Sequence, residues 1–332
     1  MNSPERPLTT DGPLVSPLGL GTWPIAGPFF SGDQPLGWGG GFDPERSIAV
    51  LRAAYDNGIT LFDTADVFGA GTAERLIGEA LSDVRDQIAI VTKWGNLFDE
   101  DAKQATGIDA SPEYVRTALE ASLRRLGTDH VDLYMLHLGQ LEEARASDFV
   151  GTLEELRIDG KVGAYGWSTN EPDLARAWIG YEGFGAIQFE VNVVRDSPVL
   201  LAICDRHGVT GLATAPLATG LLTGAHSMET RVTDTDDLRR ITPEWLHYFE
   251  GGRPVARYME RVDSIKDVLR SDGRTIAQGA LAWLWARSPN LVPVPGAQTV
   301  EQVTENARAM DFGPLTEQQM AEIDSVLTEL RE

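Results

Sequence analysis

Short apolar runs alternate with longer segments whose apolar positions recur at helical spacing, and this rhythm holds along most of the chain. An apolar run within Leu14 to Pro24 ends in Gly19-Leu20-Gly21-Thr22-Trp23, and Asp11-Gly12 before it marks a hairpin turn. Asp43-Pro44 supplies a cap and a first-turn proline for a helix reaching Asn57-Gly58. Ser111-Pro112 opens a helix that Gly127 closes, with Val115, Leu119, Ser122, Leu123 and Leu126 on one face. Further helices are predicted at Thr72 to Leu81, Val150 to Ile158, Pro172 to Ile179, Pro198 to His207, Thr275 to Arg287 and Val300 to Met310. Strands are predicted at Ile59 to Phe62, Ile88 to Thr92, Val131 to Leu136, Val162 to Trp167, Ala186 to Phe189, Val209 to Ala213 and Leu291 to Val294.

Strands that alternate with helices imply a parallel sheet. About eight such units in one chain favour a single α/β domain over residues 1–332, a (β/α)8 TIM barrel with an N-terminal β-hairpin, rather than an open doubly wound sheet. Gly19-Leu20-Gly21 lacks the third glycine and the following helix of a dinucleotide-binding turn. Two segments interrupt the rhythm: Phe29 to Phe42, Gly-rich at Gly37-Trp38-Gly39-Gly40-Gly41, and the polar stretch Thr219 to Thr242. Loops of this length in a compact domain are usually functional or disordered. On a barrel they are expected at the C-terminal face, shaping a pocket or folding over a cofactor.

The net charge of −22 argues against a nucleic-acid partner and against anionic membrane surfaces, both polyanions. No apolar stretch approaches the ~18 residues of a membrane span, and Met1 to Thr10 carries no signal-peptide apolar region. The lone Cys204, in Leu200-Leu201-Ala202-Ile203-Cys204, reads as a buried, inert helix position and suits a reducing cytoplasm. Oligomeric state is not legible. Trp283 and Trp285 read as packing. Asp99-Glu100-Asp101 and Asp234 to Asp237 read as solvated loop surface. Trp23, Trp94 and Trp167 fall where strands end, so at least one should line a pocket.

Asp63, Lys93 and His137 stand at the ends of three consecutive strand-like runs, where a barrel gathers side chains into one mouth. Singly each has a plain reading: an Asp after a strand as a turn residue, a His as a structural one. A Lys there is rarer, because its charge must be paired. Only four lysines occur in the chain, which adds some weight to Lys93. Together the three suggest a buried Lys–Asp ion pair beside a histidine, able to stabilise a developing alkoxide.

The motifs around these residues resemble the aldo-keto reductase family from about residue 14 to residue 310. Leu18-Gly19-Leu20-Gly21-Thr22-Trp23 is similar to its first strand. Phe62-Asp63-Thr64-Ala65-Asp66-Val67 and Asp132-Leu133-Tyr134-Met135-Leu136-His137 resemble its second and fourth. The resemblance implies metal-free reduction of a small carbonyl compound, or oxidation of the alcohol, polar or sugar-like, with NADP(H) as cofactor and NAD(H) as the alternative. It implies Asp63, Lys93 and His137 as catalytic residues. It places Gly21, Thr22, Trp23 and Asp63 beside the cofactor, and Ser168, Thr169, Asn170 and Gln188 on the nicotinamide amide. Thr214 falls at the nicotinamide-stacking position. Pro216, Leu217, Thr219, Gly220, Leu222 and Gly224 fall on the loop over the pyrophosphate. Gly296, Gln298, Gln302, Glu305 and Asn306 fall on the adenosine half.

Phe68, five residues beyond Asp63, occupies the position of the family's catalytic Tyr and has no hydroxyl to donate. Thr214 replaces an aromatic residue, Gln298 and Gln302 stand where an Arg for the 2′-phosphate is often found, and Thr169 stands where Asn is expected, with Asn170 next to it. A Tyr-to-Phe variant of an ordinary member would account for Phe68 alone; divergence of the whole site accounts for all four departures. Without the Tyr, His137 or a water held by Lys93 and His137 is the candidate proton donor. Two other readings stay open. One is a redox-neutral dehydratase, isomerase or lyase using Asp63, Lys93 and His137, including Schiff-base chemistry at Lys93. The other is a non-catalytic cofactor-binding subunit.

Overall fold

The structure, a computed structural model, describes residues 4–38, 41–141, 148–235 and 237–329. Gly39, Gly40 and Asp236 of the segments singled out above lie outside them. Eight strands form one parallel sheet in sequential order: β1 Gly19–Gly21, β2 Leu61–Asp63, β3 Ala89–Trp94, β4 Val131–Leu136, β5 Val162–Ser168, β6 Phe184–Glu190, β7 Thr210–Thr214 and β8 Leu291–Pro293. A parallel bridge from Gly21 to Gly296 joins the first strand to the chain just past the last, with the Gly21 N–H donating to Pro295 O at 3.0 Å. The (β/α)8 barrel is thus nearly closed.

The interior is filled by Leu61, Ala89, Val91, Leu133, Met135, Ala164, Ala186, Leu212, Val292 and Val294. Leu8 and Val15 join them from the antiparallel hairpin Arg6–Pro7/Leu14–Val15, which closes the N-terminal end. The alternate strand residues face the helices and build the larger outer core, where Cys204, Trp283 and Trp285 are buried.

The helices begin where local chemistry favours it. The Asp43 carboxylate accepts the Glu45 and Arg46 N–H groups at the head of α1 (Pro44–Asp56). Ser111 caps α3 (Pro112–Leu126), which follows α2 (Thr72–Leu81), and Gly127 ends it in the left-handed conformation. The chain continues through α4 (Val150–Ile158), α5 (Pro172–Ala177), α6 (Pro198–His207) and the short α7 (Leu238–Ile241). It ends with α8 (Ala256–Leu269), α9 (Ile276–Arg287), α10 (Val300–Phe312) and α11 (Glu317–Glu329). Reciprocal bonds between Thr275 and Gln278 form a capping box at the head of α9.

The structure corrects several sequence expectations. Helices α8 and α11 were not anticipated, and α5 stops at Ala177 rather than Ile179. Phe29 to Phe42 is not merely loop: Phe30–Ser31 and Gln34–Pro35 pair as a hairpin that joins a second one, Asn96–Asp99/Gln104–Ile108, through Phe30 and Gln104. The acidic runs are not simply solvated. Glu100 pairs with Arg75 and Arg125, and Asp237 caps α7.

The seam gives a stability prediction. A Cβ on Gly21 would lie 2.8 Å from Val294 O, which is backbone and cannot turn aside. Gly21→Ala should therefore cost about 1–3 kcal/mol, read as a lower urea midpoint with an unchanged slope.

Candidate active site

The C-terminal ends of the strands deliver the predicted residues to one place. Asp63 ends β2, Lys93 lies near the end of β3, and His137 directly follows β4. Lys93 is 1% exposed and Asp63 is 5% exposed, so each charge is removed from water and needs its partner. The Lys93 Nζ donates to Asp63 Oδ1 at 2.7 Å and to Thr64 O at 2.6 Å. Gln188 Nε2 donates to the same Asp63 oxygen at 2.9 Å, and Ser168 Oγ donates to Gln188 Oε1 at 3.3 Å. Thr22 fixes the Asp63 backbone, its N–H and its hydroxyl both donating to Asp63 O.

With two ammonium protons committed, the third side of Lys93 meets an aromatic face. The Phe68 ring centroid lies 5.0 Å from Nζ, a cation–π distance. His137 meets Phe68 edge to face, with centroids 5.7 Å apart. Burial, with the Lys93 charge adding to it, holds the His137 imidazole down at about 3. The Nδ1 atom is buried without a partner. Burial and the Lys93 charge both favour the neutral ring.

These groups open into a cavity of about 570 Å³. Its wall includes Gly21, Trp23, Asp63, Phe68, Lys93 and His137, then Ser168, Asn170, Gln188 and Thr214. Pro216, Leu217, Thr219 and Gly220 continue it, and Gly296, Gln298, Gln302, Glu305 and Asn306 complete it. Four residues expected beside the cofactor do not line that wall, three of them buried and the fourth, Gly224, exposed. Thr22 and Leu222 are fully buried. The Thr169 hydroxyl is turned away to Gly139 O at 2.8 Å, and Asn170 lines the cavity in its place. Gly224 sits in a left-handed turn packed on Ile276. Of the three strand-end tryptophans only Trp23 reaches the cavity; Trp94 and Trp167 are buried against Phe149 and Trp178 behind the barrel.

Other lining residues escaped the sequence reading. Glu190 extends the wall beyond Gln188 on β6, and the Tyr248 hydroxyl donates to its carboxylate while accepting from Asn192 Nδ2 at 2.7 Å. Trp245, Leu246 and Arg239 come from the long segment after β7. Arg239 is gripped by Asp237, Nε to Oδ1 at 2.9 Å and Nη2 to Oδ2 at 2.6 Å, and its guanidinium lies over the rings of Trp38 and Phe249. Among the described residues, no group of His, Cys, Asp or Glu is arranged to hold a metal ion, and no helix is long and apolar enough to cross a membrane.

The model of the aldo/keto reductase family matches residues 17–328. A probable aldo-keto reductase 1 of Glycine max is 30% identical over 321 residues, covering 95% of this chain and 86% of that protein. An NADH-specific methylglyoxal reductase of Escherichia coli (strain K12) is 30% identical over 322 residues, covering 92% and 93%. Among solved structures, the glycerol dehydrogenase AKR11B4 from Gluconobacter oxydans superposes with a TM-score of 0.81 at 27% identity, over 99% and 95% of the two chains. The chain belongs to the aldo/keto reductase family.

The depressed His137 value fixes a sign. Between about 3 and the ordinary value near 6.5, the unfolded chain takes up a proton that the folded chain refuses. Stability contributed by the neutral ring is complete above pH ~6.5 and is lost as pH falls toward ~3. His137→Gln should flatten that part of the acid limb in urea melts taken across pH 4–7, and an unchanged limb would contradict a buried neutral ring.

Proposed function

We propose that this member of the aldo/keto reductase family interconverts a small carbonyl compound and its alcohol, with NAD(H) as the preferred nicotinamide cofactor and NADP(H) as the weaker one. The observation that carries the reading is the buried Lys93–Asp63–Gln188 chain at the floor of a long cavity. When bound, the cofactor supplies or accepts the hydride. The chain positions, shields and stabilises the rest.

The wall suits a dinucleotide. Ser168, Asn170 and Gln188 offer amide and hydroxyl groups to a carboxamide. The loop from Pro216 to Gly220, with positive φ at Ala218, Thr219 and Gly220, lines the cavity where a pyrophosphate would pass. Arg239 Nη1 lies 3.4 Å from the point where a Cβ on Gly220 would stand, so it supplies the positive charge that the net acidity of the chain makes necessary. At the other end the lining groups Gln298, Gln302, Glu305 and Asn306 include no cation, and Gln302 Oε1 is turned to accept the Gln298 N–H at 2.7 Å. A ribose hydroxyl is accommodated there; a 2′-phosphate meets a carboxylate and no counter-charge. The NADH specificity stated in the name of the Escherichia coli relative agrees with this preference.

The carbonyl oxygen gains charge as hydride arrives, and the fixed Lys93 ammonium is the group beside it that offsets that charge. The neutral His137 can donate a hydrogen bond but holds its proton, so the proton comes from a water placed between Lys93 and His137. Phe68 leaves this transfer without a positioned acid, and turnover is accordingly slow. Schiff-base chemistry is disfavoured, because Lys93 is a buried ammonium paired with Asp63 and donating to Thr64 O.

Fluorescence titration should show NADH binding about tenfold or more tighter than NADPH. Gln298→Arg should narrow that ratio, and Arg239→Met should weaken both nucleotides while leaving it unchanged. Absence of binding by either nucleotide would overturn the proposal. On a carbonyl panel, Phe68→Tyr should raise kcat by ~10²–10⁴, the usual contribution of a positioned acid. Tight binding with no turnover in either protein would favour a non-catalytic nucleotide-binding role.

A further inference from the structure

A second cleft, of about 490 Å³, lies outside the barrel and is lined by Arg75 of α2, by Ala121, Arg124 and Arg125 of α3, and by Glu100 in the turn of the Asn96–Asp99/Gln104–Ile108 hairpin. None of these residues lines the active-site cavity. In a chain of net charge −22, three guanidinium groups in one cleft reverse the sign of the charge locally.

Arg125 is held in place from several sides. Its side chain is 7% exposed, Nε donates to Glu74 Oε2 at 2.6 Å, Nη2 donates to Ser122 Oγ at 3.3 Å, and the Phe98 ring lies against the guanidinium. Nη1 reaches Glu100 Oε1 at 2.8 Å, and Arg75 Nη2 holds the other Glu100 oxygen. Gly71 lets both arginines in, since a Cβ there would stand 2.6 Å from Arg125 Cδ and 2.7 Å from Arg75 Nη1. Both oxygens of Glu100 are thus spent on two guanidinium groups. The third, Arg124, is exposed and makes no hydrogen bond or ion pair among the described residues.

We propose that this cleft binds a small phosphate-type dianion, free or as a phosphomonoester, which takes the place of the Glu100 carboxylate and adds Arg124 to its partners. The proposal is independent of the reaction assigned above. A carboxylate offers two oxygens in one plane; a tetrahedral oxyanion offers a third, which suits three guanidinium forks. The Glu100 side chain is 39% exposed at a hairpin turn, so it can swing into water as the anion enters. Until then it is an internal occupant that keeps Arg75 and Arg125 paired. The same turn has a second anchor, with Lys103 Nζ donating to Gly69 O and to Thr72 Oγ1, both at 3.1 Å. Beneath the cleft, the buried Glu74 accepts from Thr92 Oγ1 at 2.5 Å. Release of Glu100 therefore loosens the turn while the Glu74–Arg125 pair stays in place.

The test is calorimetric titration of the full chain with inorganic phosphate and with methyl phosphate, at fixed ionic strength and about pH 8, where a phosphomonoester is a dianion. Phosphate should bind, Glu100→Gln should tighten it about tenfold, and Arg124→Gln should weaken it about tenfold, each change reflecting one charge-assisted contact. Arg239→Met, at the nucleotide groove, should leave it unchanged. Tighter binding of methyl phosphate assigns a phosphomonoester as the ligand, and tighter binding of phosphate assigns the free ion. Hydrogen exchange of the amides at 99–103 should quicken when phosphate is added to the parent and should already be fast in Glu100→Gln. No binding to either the parent or Glu100→Gln would overturn the proposal. So would binding that ignores Arg124→Gln or disappears in Arg239→Met, or a slowing of exchange in the turn.

Discussion

A lysine ammonium and an aspartate carboxylate, both stripped of water at the floor of a barrel, set the terms for the rest of this molecule. Such a pair tolerates little displacement, because either charge alone would be an uncompensated buried ion. Strand register supplies the rigidity: Gly21 pairs with Asp63, Lys93 with Met135, and Ser168 with Gln188. Asp63 thus accepts from Lys93 and Gln188 on its side chain and from Thr22 on its backbone. The buried charges and the closed sheet depend on each other. The sheet gives the pair its geometry, and the pair gives the C-terminal face a fixed positive point from which to act on an oxygen.

Phe68 changes what that fixed charge does. A hydroxyl at this position would take a hydrogen bond and pass a proton; a phenyl ring gives the ammonium a face instead. The third side of Lys93 is therefore not left orphaned, which is why the site remains intact without the hydroxyl. The same ring continues into the Trp23, Trp38 and Trp245 wall. One residue thus removes a hydroxyl from the site and extends an apolar surface along the cavity wall.

Much of this was readable from residue order because it depends on strand ends. Asp63, Lys93 and His137 follow apolar runs, and a parallel barrel brings consecutive run ends together whatever their sequence separation. The Pro216 to Gly220 and Gly296 to Asn306 segments reach the cavity for the same reason. What strand periodicity cannot show is direction within a turn. Thr22 and Thr169 sit next to lining residues yet point into the wall, each tied to a carbonyl. Trp94 and Trp167 occupy strand positions whose alternation sends them outward, against Phe149 and Trp178, although they are as close to the strand ends as Trp23. The burial of His137 and the nearby Lys93 charge, which favour its neutral ring, are tertiary facts that residue order does not show.

The least legible part is the interior of the long segment after β7, a polar stretch that was expected to shape the pocket or fold over a cofactor and that does line the cavity. Arg239 is one of its anchors, beside the buried Leu238, Leu246, Tyr248 and Phe249. Asp237 holds two sides of the Arg239 guanidinium, Trp38 and Phe249 lie against its faces, and Nη1 points toward the left-handed turn at Gly220. Each contact alone is weak, and the cation–π ones are worth about 0.5–1 kcal/mol where water has access. Their convergence on one rigid, planar group is what gives two irregular segments a common position. The group that faces the proposed nucleotide groove is thus also the group that props Trp38 in the cavity wall. An anion bound beside Gly220 would restrain Arg239, and through it Trp38, so the two ends of the cavity share one wall.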